Sequence, residues 1–457
     1  MAPVSAPRDM VRGTGPGTGP GTGRGTVRGV VRVPGDKSVS HRALIFAALA
    51  DGISEIRGLL GSADVRSTAG VLRALGVDVP AFTAASAARP LRVSGVGLRG
   101  LRAPVTDLDC GNSGTTARLL AGLCAAYSFP ARLTGDASLS RRPMRRVADP
   151  LRAMGATVRC EAGDGLPMTI RGAGSAIRGI EWENETSSAQ VKSAILLAGL
   201  AGGVPVTVRA ARASRDHTER FLAALGAPVR AEAGAVTLAP VERLRPFTLD
   251  VPGDPSSAAF FAALAALAPD GEVELPHVLA SPTRDGFFRA LARAGARVER
   301  RDEGTTAAGE HTVTYTVRSA PLRAVTVTPD EVPPMLDELP LLACMAARAT
   351  GPGGAPTVTS ISGAAELRVK ESDRIAVTVA NLRAIGVDAE ERPDGLVVRG
   401  SGRPLRGQVR SAGDHRIAMA FGVLAALPGS EIVIDDMACV DVSYPGFWAD
   451  LARLTVP

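Results

Sequence analysis

The sequence predicts an α/β protein made of six copies of one unit, divided three and three between two domains. Three observations carry this. A small-residue apolar helix runs through a turn into a short β-branched or alternating strand six times, with strand centres roughly 75 residues apart. A second signature, the end of an amphipathic helix followed by glycine and a strand, falls between most of those copies. The turn text Val-Pro-Gly-Asp occurs at 33–36 and again at 251–254.

In chain order the helix-to-strand copies are LIFAALADGISEIRG, LLAGLCAAYSFPARLTG, ILLAGLAGGVPVTVRA, FFAALAALAPDGEVEL, LLACMAARATGPGGAPTVTS and FGVLAALPGSEIVID. The intervening signatures are LRALGVDV, LRAMGATV, LAALGAPV, LARAGARV and LRAIGVDA. Each unit therefore holds two helices and several short strands. Helices so rich in Ala and Leu on most of their surface belong between sheets rather than outside them. Six units exceed one core, so the domains are expected at 35–251 and 252–457. The repeated Val-Pro-Gly-Asp marks two equivalent turns of a double crossover, with residues 27–34 belonging to the C-terminal half. The Gly-Thr-Gly-Pro text of residues 1–26 builds no core and reads as a disordered tail.

With 45% hydrophobic and 21% charged residues the composition is that of a soluble globular chain. Aromatics at 4% supply few stacking platforms for single-stranded nucleic acid, and the net charge of +6 suits small anions as well as polyanions. The five cysteines are widely spaced, so neither a disulfide framework nor a zinc site is expected. No metal or organic cofactor is implied. No apolar run is long enough for a membrane, and the first residues lack a secretory apolar region, so a cytoplasmic protein is expected.

The chemistry sits in polar stretches set against this apolar background. In VPGDKSVSHRAL, Ser38 or Ser40 is expected to cap a helix whose first turn places free N–H groups beside Lys37 and Arg42. DLDCGNSGTTARLL brings a Gly- and hydroxyl-rich loop into a helix, without a Walker A pattern. SLSRRPMRRV crowds Arg141, Arg142, Arg145 and Arg146 about a proline, either as a solvated face or as a fork for a carboxylate or phosphate. ETSSAQVKSA offers Ser187, Ser188 and Gln190 as a hydrogen-bonding rim. In PPMLDELPLL, Asp337 and Glu338 interrupt a run that should be buried, which requires a buried cationic or hydroxyl partner. ELRVKESDRI sets Lys370, Glu371 and Arg374 at helical spacing, ordinarily a surface salt-bridge pattern. SAGDHRIAMAF adds His415 and Arg416 before another apolar helix. Lys or Arg beside at least five helix starts, spread over both halves, suits a ligand with several anionic groups held between domains.

These motifs, in this order over residues 27–457, resemble those of the 5-enolpyruvylshikimate-3-phosphate synthase family. The resemblance implies two inside-out α/β barrel domains, each of three βαβαββ-type repeats. It implies transfer of the enolpyruvyl group of phosphoenolpyruvate to the 5-hydroxyl of shikimate 3-phosphate, with release of phosphate. By the same resemblance Lys37, Asp337 and Glu371 would be catalytic. Lys37, Ser38, Arg42, Ser188, Gln190, Ser214, Asp337 and Lys370 would hold shikimate 3-phosphate. Lys37, Gly114, Arg142, Gln190, Arg374 and Arg416 would hold phosphoenolpyruvate. The two small molecules are the only partners expected, with no nucleic acid or membrane, and a monomer that closes on its ligands.

The sequence departs from the family pattern at several places. Val442 stands where many members carry a lysine, His217 where a tyrosine is common, and Ala189 where a second serine is. Glu366 replaces an asparagine of some members, and Leu119 a common proline. Because glyphosate occupies the phosphoenolpyruvate site in this family, Val442 and Leu119 are expected to alter its inhibition. Two rival readings remain: transfer to another acceptor, which phosphoenolpyruvate binding without turnover would favour, and a non-catalytic RNA- or anion-binding protein, which salt-sensitive RNA binding would favour.

Overall fold

The computed structural model describes residues 25–83, 89–161, 163–232 and 234–455. The expected tail over 1–26 lies outside the described residues up to position 24, and Thr26 already opens a strand.

Strand β1 (Thr26–Val30) precedes the first unit, which holds α1 (Lys37–Leu49), β2 (Ile53–Arg57), α2 (Ala63–Ala74) and β3 (Leu91–Ser94). The second unit holds β4 (Leu108–Asp109), α3 (Gly114–Ala126), β5 (Pro130–Thr134), the single turn α4 (Ala137–Ser140), α5 (Arg145–Ala153), β6 (Thr157–Cys160) and β7 (Met168–Arg171). In the third are β8 (Ile180–Glu183), α6 (Ala189–Gly202), β9 (Val206–Arg209), α7 (His217–Ala224), β10 (Val229–Glu232) and β11 (Ala235–Leu238). Strand β12 (Thr248–Asp250) leads into the fourth, with α8 (Pro255–Leu267), β13 (Asp270–Leu279), α9 (Gly286–Arg293), β14 (Arg297–Thr305) and β15 (His311–Arg318). The fifth comprises β16 (Thr326–Val327), α10 (Leu339–Ala346), β17 (Thr357–Ile361), α11 (Arg374–Ala384), β18 (Asp388–Arg392) and β19 (Gly395–Gly400). The last holds β20 (Arg406–Val409), α12 (His415–Ala425), β21 (Glu431–Ile434) and α13 (Phe447–Leu454).

Each unit contributes one small sheet. Four share one pattern, a parallel pair extended by an antiparallel hairpin: β4-β5-β7-β6, β8-β9-β11-β10, β1-β13-β15-β14 and β16-β17-β19-β18. The others are shorter, β12-β2-β3 and β20-β21. The first copy of the glycine signature ends α2 at Gly76 (φ +90°), but a single bridge, Asp78 to Ser94, stands in place of the expected strand.

Two strands are exchanged between halves. β1 pairs in parallel with β13, Thr26 opposite Asp270, and β12 pairs in parallel with β2, Thr248 opposite Glu55. The chain thus passes twice between the halves, each time through a Val-Pro-Gly-Asp turn, and the two turns bind each other. Asp36 N donates to Pro252 O (2.6 Å) and Asp254 N to Pro34 O (2.9 Å) about a Gly35–Gly253 bridge. A Cβ on Gly35 would stand 2.1 Å from Gly58 O, so the approach of the backbones requires glycine there.

Helices α1, α3, α6, α8, α10 and α12 are buried around most of their circumference, as their composition predicts; in α8 only Leu267 escapes. Small residues let them pack closely: a Cβ on Gly122 of α3 would meet Ala194 O of α6 at 2.2 Å. Two hydrophobic clusters result. One spans Val39 to Val251 and includes Leu279 and Ala308; the other joins Val27, Val31 and Val33 to residues from Ala258 to Leu454. Among the described residues no helix is long and apolar enough to cross a membrane.

Candidate active site

Polar contacts join the N-terminal ends of buried helices from both clusters: Lys37 of α1 meets Asp254 before α8, Arg118 of α3 meets Gln190 of α6, and Arg416 of α12 meets Glu338 before α10. Helix α1 is capped by Asp36, not by Ser38 or Ser40. The fully buried Asp36 carboxylate reaches Val39 N (2.8 Å), so the helix starts earlier than expected, and Ser40 faces inward to accept from Leu60 N (3.1 Å). Lys37 and Ser38 therefore occupy the first turn. Lys37 N donates to Asp254 Oδ2 (3.2 Å), while its ammonium pairs with Asp64, which opens α2. Arg284 ties the two repeated turns together, donating to Asp36 Oδ2 (2.8 Å) and Asp254 Oδ1 (3.0 Å).

One turn along α1, Arg42 is buried. Its Nε donates to Thr218 Oγ1 (2.7 Å), Nη1 to Ser38 O (2.9 Å) and Nη2 to Ser193 Oγ (2.8 Å). Burial lowers its pKa to about 10, still charged at neutral pH. Ser188 is the N-cap of α6 and spends no side-chain bond on the cap. Gln190, two residues on, accepts from Arg118 Nη1 (2.7 Å) and donates to Thr115 Oγ1 (3.0 Å). Gly114 opens α3 between two arginines: a Cβ there would stand 2.7 Å from Arg118 Nη1 and 3.6 Å from Arg142 Nη1. Without one, backbone N–H groups stay open to an anion.

Across the cleft Asp337 sits in a cage of cations, as its place in an apolar run requires. Its carboxylate lies 2.7 Å from Arg215 Nη2, 3.2 Å from Arg374 Nη1, 3.8 Å from Lys370 Nζ and 3.9 Å from Arg416 Nη2. Glu338 accepts from Ser256 Oγ and pairs with Arg416 Nη1 (3.3 Å). The Lys370–Arg374 stretch is not a helix face. A 3₁₀ turn ends at Val369, Lys370 is extended, and α11 begins only at Arg374 under an Asp373 cap. Arg374 is accordingly buried (1% exposed) and its partner Glu371 (2.6 Å) half-buried, while Asp414 holds Arg374 from behind (2.8 Å). Arg142, from the other half, reaches Glu371 Oε1 at 3.6 Å and Asn112 Oδ1 at 2.7 Å.

Burial pushes the Asp337 carboxyl up, but the fields of Arg416, Lys370, Arg215 and Arg374 overcome it and hold it well below the usual carboxylate range. Glu371 behaves likewise: burial raises it, and Arg374, His415, Arg142 and Lys37 more than reverse the effect. Both are ionised at neutral pH.

Comparison with known proteins bears on this arrangement. The family profile described as EPSP synthase (3-phosphoshikimate 1-carboxyvinyltransferase) matches residues 22–451. The chain belongs to the EPSP synthase family. A protein named 3-phosphoshikimate 1-carboxyvinyltransferase from Sulfurihydrogenibium sp. is 46% identical, over 93% of this chain and 96% of its own. One of the same name from Alkalilimnicola ehrlichii is 48% identical over 91% of each chain. The solved EPSP synthase of Acinetobacter baumannii superposes with a TM-score of 0.82 at 38% identity, covering 95% of this chain and 97% of that one.

Of the residues singled out by resemblance to EPSP synthases, Lys37, Ser38 and Arg42 lie in the first two turns of α1, and Gly114, Arg142 and Gln190 meet around Arg118. Asp337, Lys370, Glu371, Arg374 and Arg416 form one ionic cluster. Ser214 is half-buried, next to the Arg215 that joins that cluster. Sequence reasoning missed Asp64, Arg118, Arg215 and Arg284. Arg118 and Arg215 carried a signal, since Arg118 lies within DLDCGNSGTTARLL and Arg215 follows the named Ser214; Asp64 and Arg284 are recruited by folding alone.

Proposed function

We propose that this cleft transfers the enolpyruvyl group of phosphoenolpyruvate to the 5-hydroxyl of shikimate 3-phosphate, releasing phosphate, as a cytoplasmic monomer. The observation that carries it is the placing of two half-buried carboxylates, Asp337 and Glu371, on the single buried guanidinium of Arg374, at 3.2 and 2.6 Å, inside a ring of cations drawn from both halves. Such a ring suits two phosphates and a carboxylate.

The reaction needs three proton transfers at the substrates. The 5-hydroxyl oxygen bonds to C2 of phosphoenolpyruvate as its proton leaves, and C3 takes up a proton to give a tetrahedral ketal. The C2–O bond to phosphate then breaks and a methyl proton is lost, restoring the enol ether. Asp337 takes the hydroxyl proton, Glu371 serves the C3 carbon, and Lys37 neutralises charge and completes the proton path. Anionic substrates offset the cations that depress both carboxyls, so binding itself brings these groups toward a working range. Arg42, Ser38, Ser188, Gln190, Ser214 and Lys370 hold shikimate 3-phosphate. Gly114, Arg142, Arg374 and Arg416, with Lys37 and Gln190, hold phosphoenolpyruvate.

The same reading assigns the chain two inside-out α/β barrel domains, at 35–251 and 252–457, with strand 27–34 exchanged into the second. The two hydrophobic clusters and the reciprocal strand exchange support it. The reducing compartment is supported by five unpaired cysteines.

The test is phosphate release from shikimate 3-phosphate and phosphoenolpyruvate, with Asp337→Ala as control. Release requiring both substrates and collapsing in the variant is expected. Binding of phosphoenolpyruvate without release would move the acceptor elsewhere, and binding of neither would remove the enzyme reading.

A further inference from the structure

One piece of the C-terminal half is built into the N-terminal core. The β14–β15 hairpin is exposed along 301–305, yet at its tip Ala308 is fully buried in the N-terminal cluster and Glu310 is 1% exposed. Thr306 closes the tip: its N–H donates to Glu310 O (2.8 Å) and its carbonyl accepts from Gly309 N (2.9 Å). Gly309 (φ +73°) permits close approach to α7, since a Cβ would stand 3.0 Å from Arg220 O. Glu310 Oε1 then lies 2.7 Å from His217 Nδ1, both side chains 1% exposed. Their remaining atoms, Glu310 Oε2 and His217 Nε2, are buried with no hydrogen-bond partner among the described residues. Each therefore has the other as its one side-chain hydrogen-bond partner there, and losing it leaves a buried polar group unpaired.

His217 begins a segment on which the cleft depends. Thr218 holds Arg42 (2.7 Å), Glu219 holds the buried Lys192 (2.5 Å), and Arg215, two residues before, reaches Asp337 (2.7 Å). The same hairpin runs beside the chain crossover, where Gly253 N donates to His277 O (2.7 Å) and Glu303 lies 3.4 Å from His277 Nδ1.

We propose that Glu310 is a positioning residue: bonded to His217 from the opposite half, it fixes the 214–218 segment as a preformed anion wall and makes the hairpin tip a further noncovalent connection between the halves. Burial pushes Glu310 up to about 7 and His217 down to about 3, so near neutral pH a hydrogen bond rather than a full ion pair holds the contact. The groups facing it are Arg42 of α1, Asp36 before it, Arg215 before α7, Arg220 on α7, and Arg284 before α9.

The test compares Glu310→Gln and Glu310→Leu in the full chain; both keep the volume, and only Gln can bond His217. Two readouts are taken, amide hydrogen exchange of 214–218 and steady-state kinetics of phosphate release. Expected for Leu are loss of exchange protection in 214–218 and a KM for shikimate 3-phosphate raised about tenfold, with kcat within about twofold. Gln should restore both. Leu equal to the parent, or a uniform fall in kcat with KM unchanged, overturns the proposal. Should Leu fail to fold, exchange in the parent decides: the tip 306–310 and segment 214–218 should open together, and independent opening refutes the connection. The kinetic arm rests on the transfer reading proposed above. Absence of phosphate release in the parent would sink that reading, while the exchange arm still judges the connection by itself.

Discussion

Arg215 Nη2 donates to Asp337 Oδ2 at 2.7 Å across the cleft, joining residues 122 positions apart in the chain. The contact is part of what keeps Asp337 ionised. A carboxylate gripped this tightly is a poor base until substrate anions draw the arginines away. Replacing Arg215 by Met removes one of four depressing charges, so the Asp337 pKa rises. The acidic limb of kcat/KM should move to higher pH, and a profile superposable on the parent's would show that the contact has no electrostatic consequence.

Gly114 gives the second prediction. Gly114→Ala places a methyl group 2.7 Å from Arg118 Nη1, and the guanidinium must give way. Arg118 also holds Gln190, so the phosphoenolpyruvate side of the cleft is disturbed twice. The KM for phosphoenolpyruvate should rise about tenfold or more, since moving a charged hydrogen-bonding group costs on the order of 1.5–3 kcal/mol. Thermal stability should change little, and steady-state kinetics with a melting curve settle both points.

Stability against pH reflects opposed groups. Asp337, Glu371, Asp254 and Asp414 all have depressed carboxyls. Their stabilisation is present above the unfolded value near 4 and is lost as pH falls through the folded values. Glu310 has the reverse sign: its folded value near 7 exceeds the unfolded one, so its contribution is full below about 4.5 and is lost as pH rises through 7. Glu310→Gln should therefore gain melting temperature relative to the parent between pH 5 and 8. A constant difference across that range would contradict the assignment.

Val442 is half-buried in the turn Ala438–Val442, which packs against α2, the helix that Asp64 opens. Leu119 is fully buried on α3, behind Gly114. Val442→Lys should lower the KM for phosphoenolpyruvate by adding a cation. It should also lower the inhibition constant of glyphosate if that inhibitor takes the same pocket. A parent inhibition constant equal to that of sensitive EPSP synthases would refute the expectation for both positions.

Much of this was legible in the chain. Repeated helix–turn–strand text exposes the six units because burying an Ala- and Leu-rich helix against a sheet demands the same pattern each time. The carboxylate of Asp337 in an apolar run called for buried cations, and four surround it. Boundaries were less legible. Asp36 outcompeted Ser38 and Ser40 for the α1 cap because a carboxylate one residue before the helix reaches Val39 N directly. Lys370–Arg374 has helical spacing without a helix because the 3₁₀ turn before it ends in an extended residue.

The sequence by itself determined the repeat, its buried helices and the residues whose order marks the EPSP synthase family, since these rest on local periodicity and short motifs. Only the tertiary structure decided which charges meet. Arg284 on both repeated turns, Asp64 on Lys37, Arg215 on Asp337 and Glu310 on His217 are long-range pairs. Their partners are set by how two cores face each other, and no spacing along the chain encodes that distance.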